Sequence, residues 1–274
     1  MKLSIITINK NDAKGLEKTI QSVICQTYSD FEYIVIDGAS TDGSFDVLKK
    51  HSEKIDYWVS EPDSGIYNGM NKGIEKATGD YCLFLNSGDY LMENVNLEAV
   101  FKNITGDADI YYFDCLHKNV PDALDVNKYI RVGISHQNSI IRRSLFIEHG
   151  YYNEEYITSS DFEFFLLEIW KYKSTFKHIP GVLTFYDLHG ISTLNPVLRE
   201  SEKCMILQNA FEGIADSIVD YYLLQNSIYS NIIRNWGNSK ILVFILRTYR
   251  FVARRLFRIV NKKYLLEKFE PVLR

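Results

Sequence analysis

The sequence predicts an α/β fold in which a mostly parallel, doubly wound sheet is flanked by helices. Short β-branched runs alternate with segments of helical periodicity through the first ninety residues, and this alternation is typical of βαβ units. Polar, turn-forming clusters follow several of the runs. The 274 residues are enough for one large core and an appendage.

The first two strand and helix units are the clearest. Residues 3–8 form a β-branched run, and residues 9–12 are polar. The next apolar residues share one helical face: Leu16, Ile20, Val23 and Ile24. Residues 31–36 predict a second strand, and the turn-rich segment 37–43 then leads into a helix over 44–51.

Two further strands complete the predicted parallel sheet. Residues 57–60 are a brief third run, and residues 66–77 have a helical pattern. The fourth run, 81–85, ends in the polar cluster 86–89. Ligands of doubly wound sheets bind beyond the carboxyl ends of the strands. The polar clusters after the first, second and fourth strands therefore predict a site at that edge.

The second half of the chain is less regular. Residues 109–113 and 181–186 predict strands, and residues 162–172 predict a helix. From residue 197 the pattern is helical without a convincing strand. We therefore expect one α/β domain over residues 1–195 and a helical region over residues 196–274.

The formal charge of −4 conceals two regions of opposite charge. Residues 221–274 contain eleven basic and two acidic residues, a net charge of +9, which leaves −13 for residues 1–220. So acidic a main part argues against a nucleic-acid-binding protein, because it repels phosphate backbones. The four cysteines form no CxxC pair, so neither a disulfide framework nor a zinc–thiolate site is predicted.

The chain is predicted to be cytoplasmic and not integral to a membrane. Its first residues turn polar without an apolar signal-peptide core, and no stretch reaches the roughly 18 apolar residues of a spanning helix. Residues 240–263 nevertheless predict a basic amphipathic helix, with an arginine stripe formed by Arg247, Arg250, Arg254 and Arg258. We expect this helix to lie on an anionic membrane surface; packing on the core with a solvated basic face is the alternative.

Two strand ends carry the residue types that bind a nucleotide and a cation. Asp37 closes the second strand, where a carboxylate can accept hydrogen bonds from a base or ribose; a turn-forming role is the alternative. The cluster 86–89 reads NSGD. The Asp89 carboxylate and the Asn86 carbonyl are oxygen donors suited to a hard divalent cation, although the same letters also form an Asx turn.

Five ordered segments carry a family resemblance: SIITINKN, FEYIVIDGASTDGS, EPDSGIYNGMNKGIEKATGDYCLFLNSGDYL, ISHQNSIIRRSLF and SSDFEFFL. Together they resemble the family-2 glycosyltransferases with the GT-A fold, and most of all the bacterial branch that builds O-antigen, capsule and colanic-acid-type polysaccharides. The resemblance covers roughly residues 1–192. It implies a nucleotide-sugar-binding half over residues 1–99 and an acceptor half over residues 100–195.

The resemblance also implies roles for single residues. Family positions that hold a uridine-type base and ribose match Thr7, Asn9, Asp37 and Ser40. Family positions that line the donor site match Asp63, Gly65, Asn71 and Lys72. The NSGD cluster looks like the metal-binding DxD motif, with Asn86 and Gly88 in place of two carboxylates and with Asp89 retained. The implied cofactor is Mg²⁺ or Mn²⁺, for which His189 is a further ligand candidate.

Asp161 matches the family's proposed catalytic base. A sugar hydroxyl is a poor nucleophile, so an inverting transfer needs a carboxylate that takes its proton, and a bound cation neutralises the leaving diphosphate. From the local sequence alone, Asp161 is equally an N-cap of the helix over 162–172. Glu163 is the second candidate for the base. On the acceptor side, the resemblance points to His136 and Gln137, for which a structural role is the alternative.

We therefore predict an inverting glycosyltransferase. It moves a sugar from a UDP-linked donor to a hydroxyl of a lipid-linked glycan at the inner face of the cytoplasmic membrane. A non-catalytic nucleotide-sugar-binding or scaffold protein is one alternative. A sugar-phosphate nucleotidyltransferase is another, although residues 9–12 lack the glycine-rich basic loop expected of it. The aromatic C-terminal region is also compatible with a homodimer interface.

Overall fold

A computed structural model of the chain describes residues 1–187 and 190–211. Its strands are β1 (Leu3–Asn9), β2 (Phe31–Asp37), β3 (Tyr57–Ser60), β4 (Tyr81–Phe84), β5 (Tyr90–Leu91), β6 (Ile110–Asp114), β7 (Ser139–Arg142), β8 (Phe176–Val182) and β9 (Thr184–Phe185). Its α-helices are α1 (Ala13–Ile24), α2 (Ser44–His51), α3 (Ile66–Lys76), α4 (Leu97–Lys102), α5 (Val126–Val132), α6 (Arg143–His149), α7 (Ser160–Leu167), α8 (Ile191–Leu194) and α9 (Pro196–Ala210). Short 3₁₀ turns cover Ser52–Lys54 and His136–Asn138.

Seven strands form one sheet in the order β3-β2-β1-β4-β7-β6-β8. β1 pairs in parallel with both β2 and β4, β2 pairs in parallel with β3, and β6 pairs in parallel with β8. Only β7 among these strands runs antiparallel to its neighbours, β4 and β6. The predicted α/β class with a mostly parallel sheet is thereby confirmed.

Different helices pack on the two faces of β1. Every residue of β1 is buried, as expected for a strand that is covered on both sides. Leu3 and Ile5 belong to the same apolar cluster as Leu16 and Ile20 of α1. On the other face, α3 approaches so closely that a Cβ at Gly73 would lie 2.4 Å from Ile6 Cγ2. β1 is therefore packed between α1 on one face and α3 on the other.

The second half differs from the prediction in detail. The single strand expected over 181–186 is two strands, β8 and β9, and β9 leaves the main sheet to pair with β5. The helix expected over 162–172 begins earlier, at Ser160, and its last part, Glu168–Tyr172, is a π-helix. Strand runs this short carry too little periodicity to set their partners.

Residues 1–124 and 132–202 form one compact unit, and residues 125–131 and 203–211 belong to a second unit. Within the described part of the second unit, α5 buries Val126 and Tyr129.

None of the helices formed by residues 1–187 and 190–211 has the length and apolar character needed to cross a bilayer. The basic segment 240–263 and the proposed aromatic dimer surface lie outside the described residues, so both stay predictions.

Candidate active site

Asn9 and Asp37 meet at the carboxyl edge of the sheet. They are register partners at the ends of β1 and β2, and Asn9 Nδ2 donates to Asp37 Oδ1 at 2.6 Å. Ser40 and Ser60 also donate their hydroxyls to the Asp37 carboxylate, at 2.6 and 2.5 Å. Burial acts to raise the pKa of Asp37, but these hydrogen bonds outweigh it and hold the pKa below its ordinary value. Asp37 is thus a charged anchor for this edge.

The four residues matched to base and ribose binding separate into two groups. Asn9, Asp37 and Ser40 form one hydrogen-bonded cluster, in which Ser40 also accepts a bond from Asn9 Nδ2 at 3.2 Å. Within the described residues, the buried Oδ1 of Asn9 has no hydrogen-bond partner. Thr7 points elsewhere: its hydroxyl is fully buried and lies 3.1 Å from Tyr33 Oη. The cluster therefore contains one acceptor that the described residues leave unused, whereas the Thr7 hydroxyl lies inside the core.

The donor-lining residues after β3 also have different surroundings. Asp63 accepts a bond from the backbone N–H of Gly65 at 3.2 Å, and its carboxylate lies so close to Gly38 that a Cβ there would be 2.3 Å from Oδ2. Gly65 has φ of 142° and precedes α3, a conformation that favours glycine. The Lys72 ammonium donates to Glu61 at 2.7 Å and to the Pro62 carbonyl at 3.0 Å, so it faces a carboxylate.

Asn71 ties α3 to the segment that precedes α7. Its side chain donates to the Tyr152 carbonyl at 2.9 Å and to the Glu154 carboxylate at 2.9 Å, and it accepts from the Tyr152 N–H at 3.1 Å. Asn71 is buried. This is the arrangement of a side chain that holds two segments of the fold in register.

The NSGD cluster forms a tight turn after β4. Gly88 has φ of 92°, and the Asp89 N–H donates to the Asn86 carbonyl at 2.9 Å. The turn packs against the first part of α1, where a Cβ at Gly15 would lie 2.7 Å from the Gly88 nitrogen. Thr19 of α1 donates its hydroxyl to the Asp89 carbonyl at 2.6 Å. Packing and a hydrogen bond from α1 therefore hold the turn in place.

Asp89 is buried, with 3% of its surface exposed. Burial raises the pKa of its carboxyl to about 6, although the Asp187 N–H, which donates to Oδ1 at 2.8 Å, and a side-chain hydrogen bond from Gln137 both act to lower it. A carboxylate so far removed from water is stabilised by a neighbouring positive charge.

Asp161 is joined to this turn through His136. His136 Nδ1 lies 3.0 Å from Asp161 Oδ2, and His136 Nε2 lies 3.4 Å from Asn86 Nδ2. Tyr67 of α3 donates its hydroxyl to Asp161 Oδ1 at 3.1 Å. Burial beside the Asp161 carboxylate raises the pKa of Tyr67 well above its ordinary value, so the phenol stays protonated as a donor. The structure therefore brings together Asn86, Asp89, His136, Gln137 and Asp161.

The N-cap interpretation of Asp161 is wrong. Helix α7 begins at Ser160, and its N-cap is Ser159, which places Asp161 inside the first turn. Glu163, the second candidate for the base, points elsewhere: it bonds with Asn153 and lines a cavity with His149 and Tyr172. Of the two carboxylates, Asp161 is the one that contacts His136.

Two contributors were not predicted from the sequence. Tyr67 has the spacing of the apolar face of α3, so its local pattern indicates only a core residue. Asp187 contributes its backbone N–H to Asp89, a contact that side-chain identity does not reveal. His189, the further metal-ligand candidate, lies outside the described residues.

A divalent cation fits part of this arrangement. Among residues 1–187 and 190–211, no three His, Cys, Asp or Glu side chains are grouped as a metal site. The Oδ1 of Asn86 is buried and has no hydrogen-bond partner in the same residues, and Asp89 belongs to the same turn. Mg²⁺ commonly takes one or two protein oxygens and completes its shell with phosphates and water. Asn86 and Asp89 suit such a partial site.

Sequence comparisons identify relatives of known class. The family model described as Glycosyl transferase family 2 matches residues 4–162. The chain is 27% identical over 261 residues to a PGL/p-HBAD biosynthesis glycosyltransferase of Mycobacterium bovis, covering 92% of each chain. It is 38% identical over 91 residues to the putative teichuronic acid biosynthesis glycosyltransferase TuaG of Bacillus subtilis, covering 32% of this chain and 36% of TuaG.

Solved structures share the fold at low sequence identity. S. aureus TarS 1–349 in complex with UDP-GlcNAc has a TM-score of 0.62 at 18% identity, over 82% of this chain and 72% of TarS. The mannosyltransferase PcManGT from Pyrobaculum calidifontis, in complex with GDP-Man and Mn²⁺, has a TM-score of 0.63 at 15% identity, over 96% of this chain and 88% of PcManGT. Identities this low support a common fold.

Proposed function

This chain belongs to glycosyl transferase family 2, and from that premise we propose that it moves a sugar from a UDP-linked donor to a hydroxyl of a lipid-linked glycan, with inversion at the anomeric carbon. The transfer serves bacterial surface polysaccharide synthesis at the inner face of the cytoplasmic membrane. The observation that carries the proposal is the hydrogen-bonded link between Asp161 and the Asn86–Asp89 turn. This link supports Asp161 as a carboxylate base beside the proposed diphosphate site.

The nucleotide end of the donor binds at the ends of β1 and β2. The unpartnered Oδ1 of Asn9 accepts a hydrogen bond from the base, and the Asp37 cluster holds the loop that meets the ribose. A UDP-linked donor is supported by the TarS complex, whereas PcManGT holds GDP-Man. A direct competition between UDP- and GDP-linked sugars therefore identifies the nucleobase of the donor.

Asp161 takes the proton of the acceptor hydroxyl as that oxygen attacks the anomeric carbon. Tyr67 and His136 hold the two carboxylate oxygens, so the base has a fixed orientation before the acceptor arrives. Asn86 and Asp89 would hold Mg²⁺ or Mn²⁺, and a cation bound there would supply positive charge to the leaving nucleoside diphosphate. Gln137 steadies Asp89 from the acceptor side.

A nucleotide-sugar panel tests the donor and the metal. Binding and slow donor hydrolysis are measured for UDP- and GDP-linked sugars, with Mn²⁺ and after removal of the metal by a chelator. We expect hydrolysis of a UDP-sugar that is lost with the metal and restored by Mn²⁺. Hydrolysis of GDP-sugars alone would show that the donor does not carry uracil. Hydrolysis that persists without metal overturns the metal assignment.

Asp161→Asn tests the chemistry, with Glu163→Gln as the matched control on the same helix. We expect Asp161→Asn to lower kcat at least 100-fold, in the range of general base catalysis, and to leave the Kd of the nucleotide sugar within a few-fold. Glu163→Gln should stay within a few-fold in both measurements. Equal turnover by Asp161→Asn and the unmodified chain removes Asp161 from the mechanism.

Membrane attachment is tested on the full chain. Substituting Arg247, Arg250, Arg254 and Arg258 by Gln removes four positive charges from the predicted helix, each worth about 1 kcal/mol near an anionic surface. We expect partition onto phosphatidylserine vesicles to fall while donor hydrolysis is kept. Unchanged partition contradicts the membrane role.

A further inference from the structure

His136 bridges the two functional parts of the site through opposite ring nitrogens. His136 Nε2 lies 3.4 Å from the Asn86 amide. On the other side of the ring, His136 Nδ1 lies 3.0 Å from Asp161 Oδ2. An ionised carboxylate can only accept a hydrogen bond, so His136 Nδ1 is the donor to Asp161.

The ring cannot turn away from this bridge. His136 is 7% exposed and packs edge-on against Phe84 of β4, with 6.2 Å between the ring centroids. The 3₁₀ turn that carries it is fixed by Thr184, whose hydroxyl donates to the Gln137 carbonyl at 2.9 Å and whose N–H donates to Asn138 Oδ1 at 3.2 Å. The position of the donor nitrogen is set by the fold.

We infer that His136 is a positioning residue that aligns the Asp161 carboxylate. The inference rests on the proposed function, since it assigns to His136 a role behind the base instead of contact with the acceptor. The Nδ1–H bond fixes one carboxylate oxygen, and the Tyr67 bond fixes the other.

Two substitutions separate the two ring nitrogens. In His136→Asn, the amide nitrogen takes the place of Nδ1, so the bond to Asp161 is kept and the bond to Asn86 is lost. In His136→Gln, the amide reaches the place of Nε2, so the contact with Asn86 is kept and the bond to Asp161 is lost. The two variants are similar in polarity and are both neutral.

The readouts are kcat and the KM values for donor and acceptor, measured beside thermal unfolding. We expect His136→Gln to lower kcat about 100-fold, as a misplaced catalytic group does, with both KM values within a few-fold. His136→Asn should keep kcat within about tenfold. Equal losses of kcat in the two variants, or a loss that appears only in the acceptor KM, overturn the inference.

A double variant separates this inference from the proposed function. If His136 acts through Asp161, His136→Gln adds no further loss to Asp161→Asn; a further 100-fold loss overturns the positioning role. If Asp161→Asn alone keeps full turnover, it is the proposed function that fails. Should His136→Gln not fold, His136→Ala replaces it, and added imidazole is expected to restore kcat. Folded His136→Ala that imidazole leaves unchanged contradicts the inference.

Discussion

Glu32 should contribute stability far from the chemistry, and its carboxylate gives a quantitative prediction. The side chain lies at the amino end of the sheet, where Ser4 donates to Oε1 at 2.5 Å, Thr78 Oγ1 donates to Oε2 at 2.7 Å and the Gly79 N–H donates to Oε1 at 2.9 Å. Lys2 adds an ion pair at 3.1 Å. One carboxylate thus joins β1, β2 and the turn that leads into β4.

The magnitude follows from the pKa of Glu32. Burial acts to raise this pKa, but the bonds from Ser4 and Thr78 outweigh it and lower the pKa from 4.5 to about 2. At 1.36 kcal/mol for each pKa unit, this interval corresponds to about 3 kcal/mol. A lowered pKa in the folded state stabilises the fold above pH 4.5, and the contribution disappears as the pH falls through 2.

The assay is urea unfolding of the unmodified chain and Glu32→Gln between pH 7 and pH 3. We expect a difference in unfolding free energy of about 3 kcal/mol at pH 7 that shrinks to about 1 kcal/mol at pH 3. Glu53→Gln is the control, because Glu53 is exposed. Donor binding should not change in either variant at pH 7. A difference for Glu32→Gln that is the same at both pH values refutes the reasoning.

Two further substitutions test how the site is supported. Gly15→Ala should destabilise the fold by about 1–3 kcal/mol and raise the donor KM, because the new Cβ would lie 1.9 Å from Asp12 Oδ2 and 2.7 Å from the Gly88 nitrogen. Thermal unfolding and donor titration measure the two effects. The gain in stability that Ala usually gives over Gly in a helix would contradict the prediction. Asn71→Ala should cost about 2–3 kcal/mol in urea unfolding, because the buried polar groups of Tyr152 lose their partner. The comparison is the pair of half-buried Lys72 and exposed Glu61. Lys72→Ala should cost less than about 1 kcal/mol, and equal costs would show that Asn71 does not join the two segments.

The parallel part of the sheet could be predicted because its strands are apolar throughout. β1 and β2 were expected over 3–8 and 31–36 and extend one residue further. Burial on both faces leaves an uninterrupted hydrophobic run, which is a local signal. The two-residue strands β5 and β9 have no such signal, since their pairing is decided by contact between residues that are 93 and 95 positions apart in the chain.

The site was harder to predict where the chain direction reverses. After a parallel strand, the residues at the carboxyl edge come next in the sequence, as Asp37 and Asn86 do. β7 is antiparallel to β4, so the residues at that edge precede the strand, which is why His136 lies there. That His136 contacts Asp161, and that Tyr67 completes the arrangement, depends on side-chain directions that local sequence does not specify.

The hydrogen bond from the Asp187 backbone N–H to the Asp89 carboxylate also bears on how the protein is made. It joins residues 98 positions apart, and translation at 5–20 residues per second places about 5–20 s between their synthesis. In that interval the growing chain has the first four strands, yet Asp89 lacks the N–H that holds its carboxylate. The strands up to β4 are therefore synthesised before the residue that completes the hydrogen bonding of Asp89, and this carboxylate depends on a segment made later than the sheet around it.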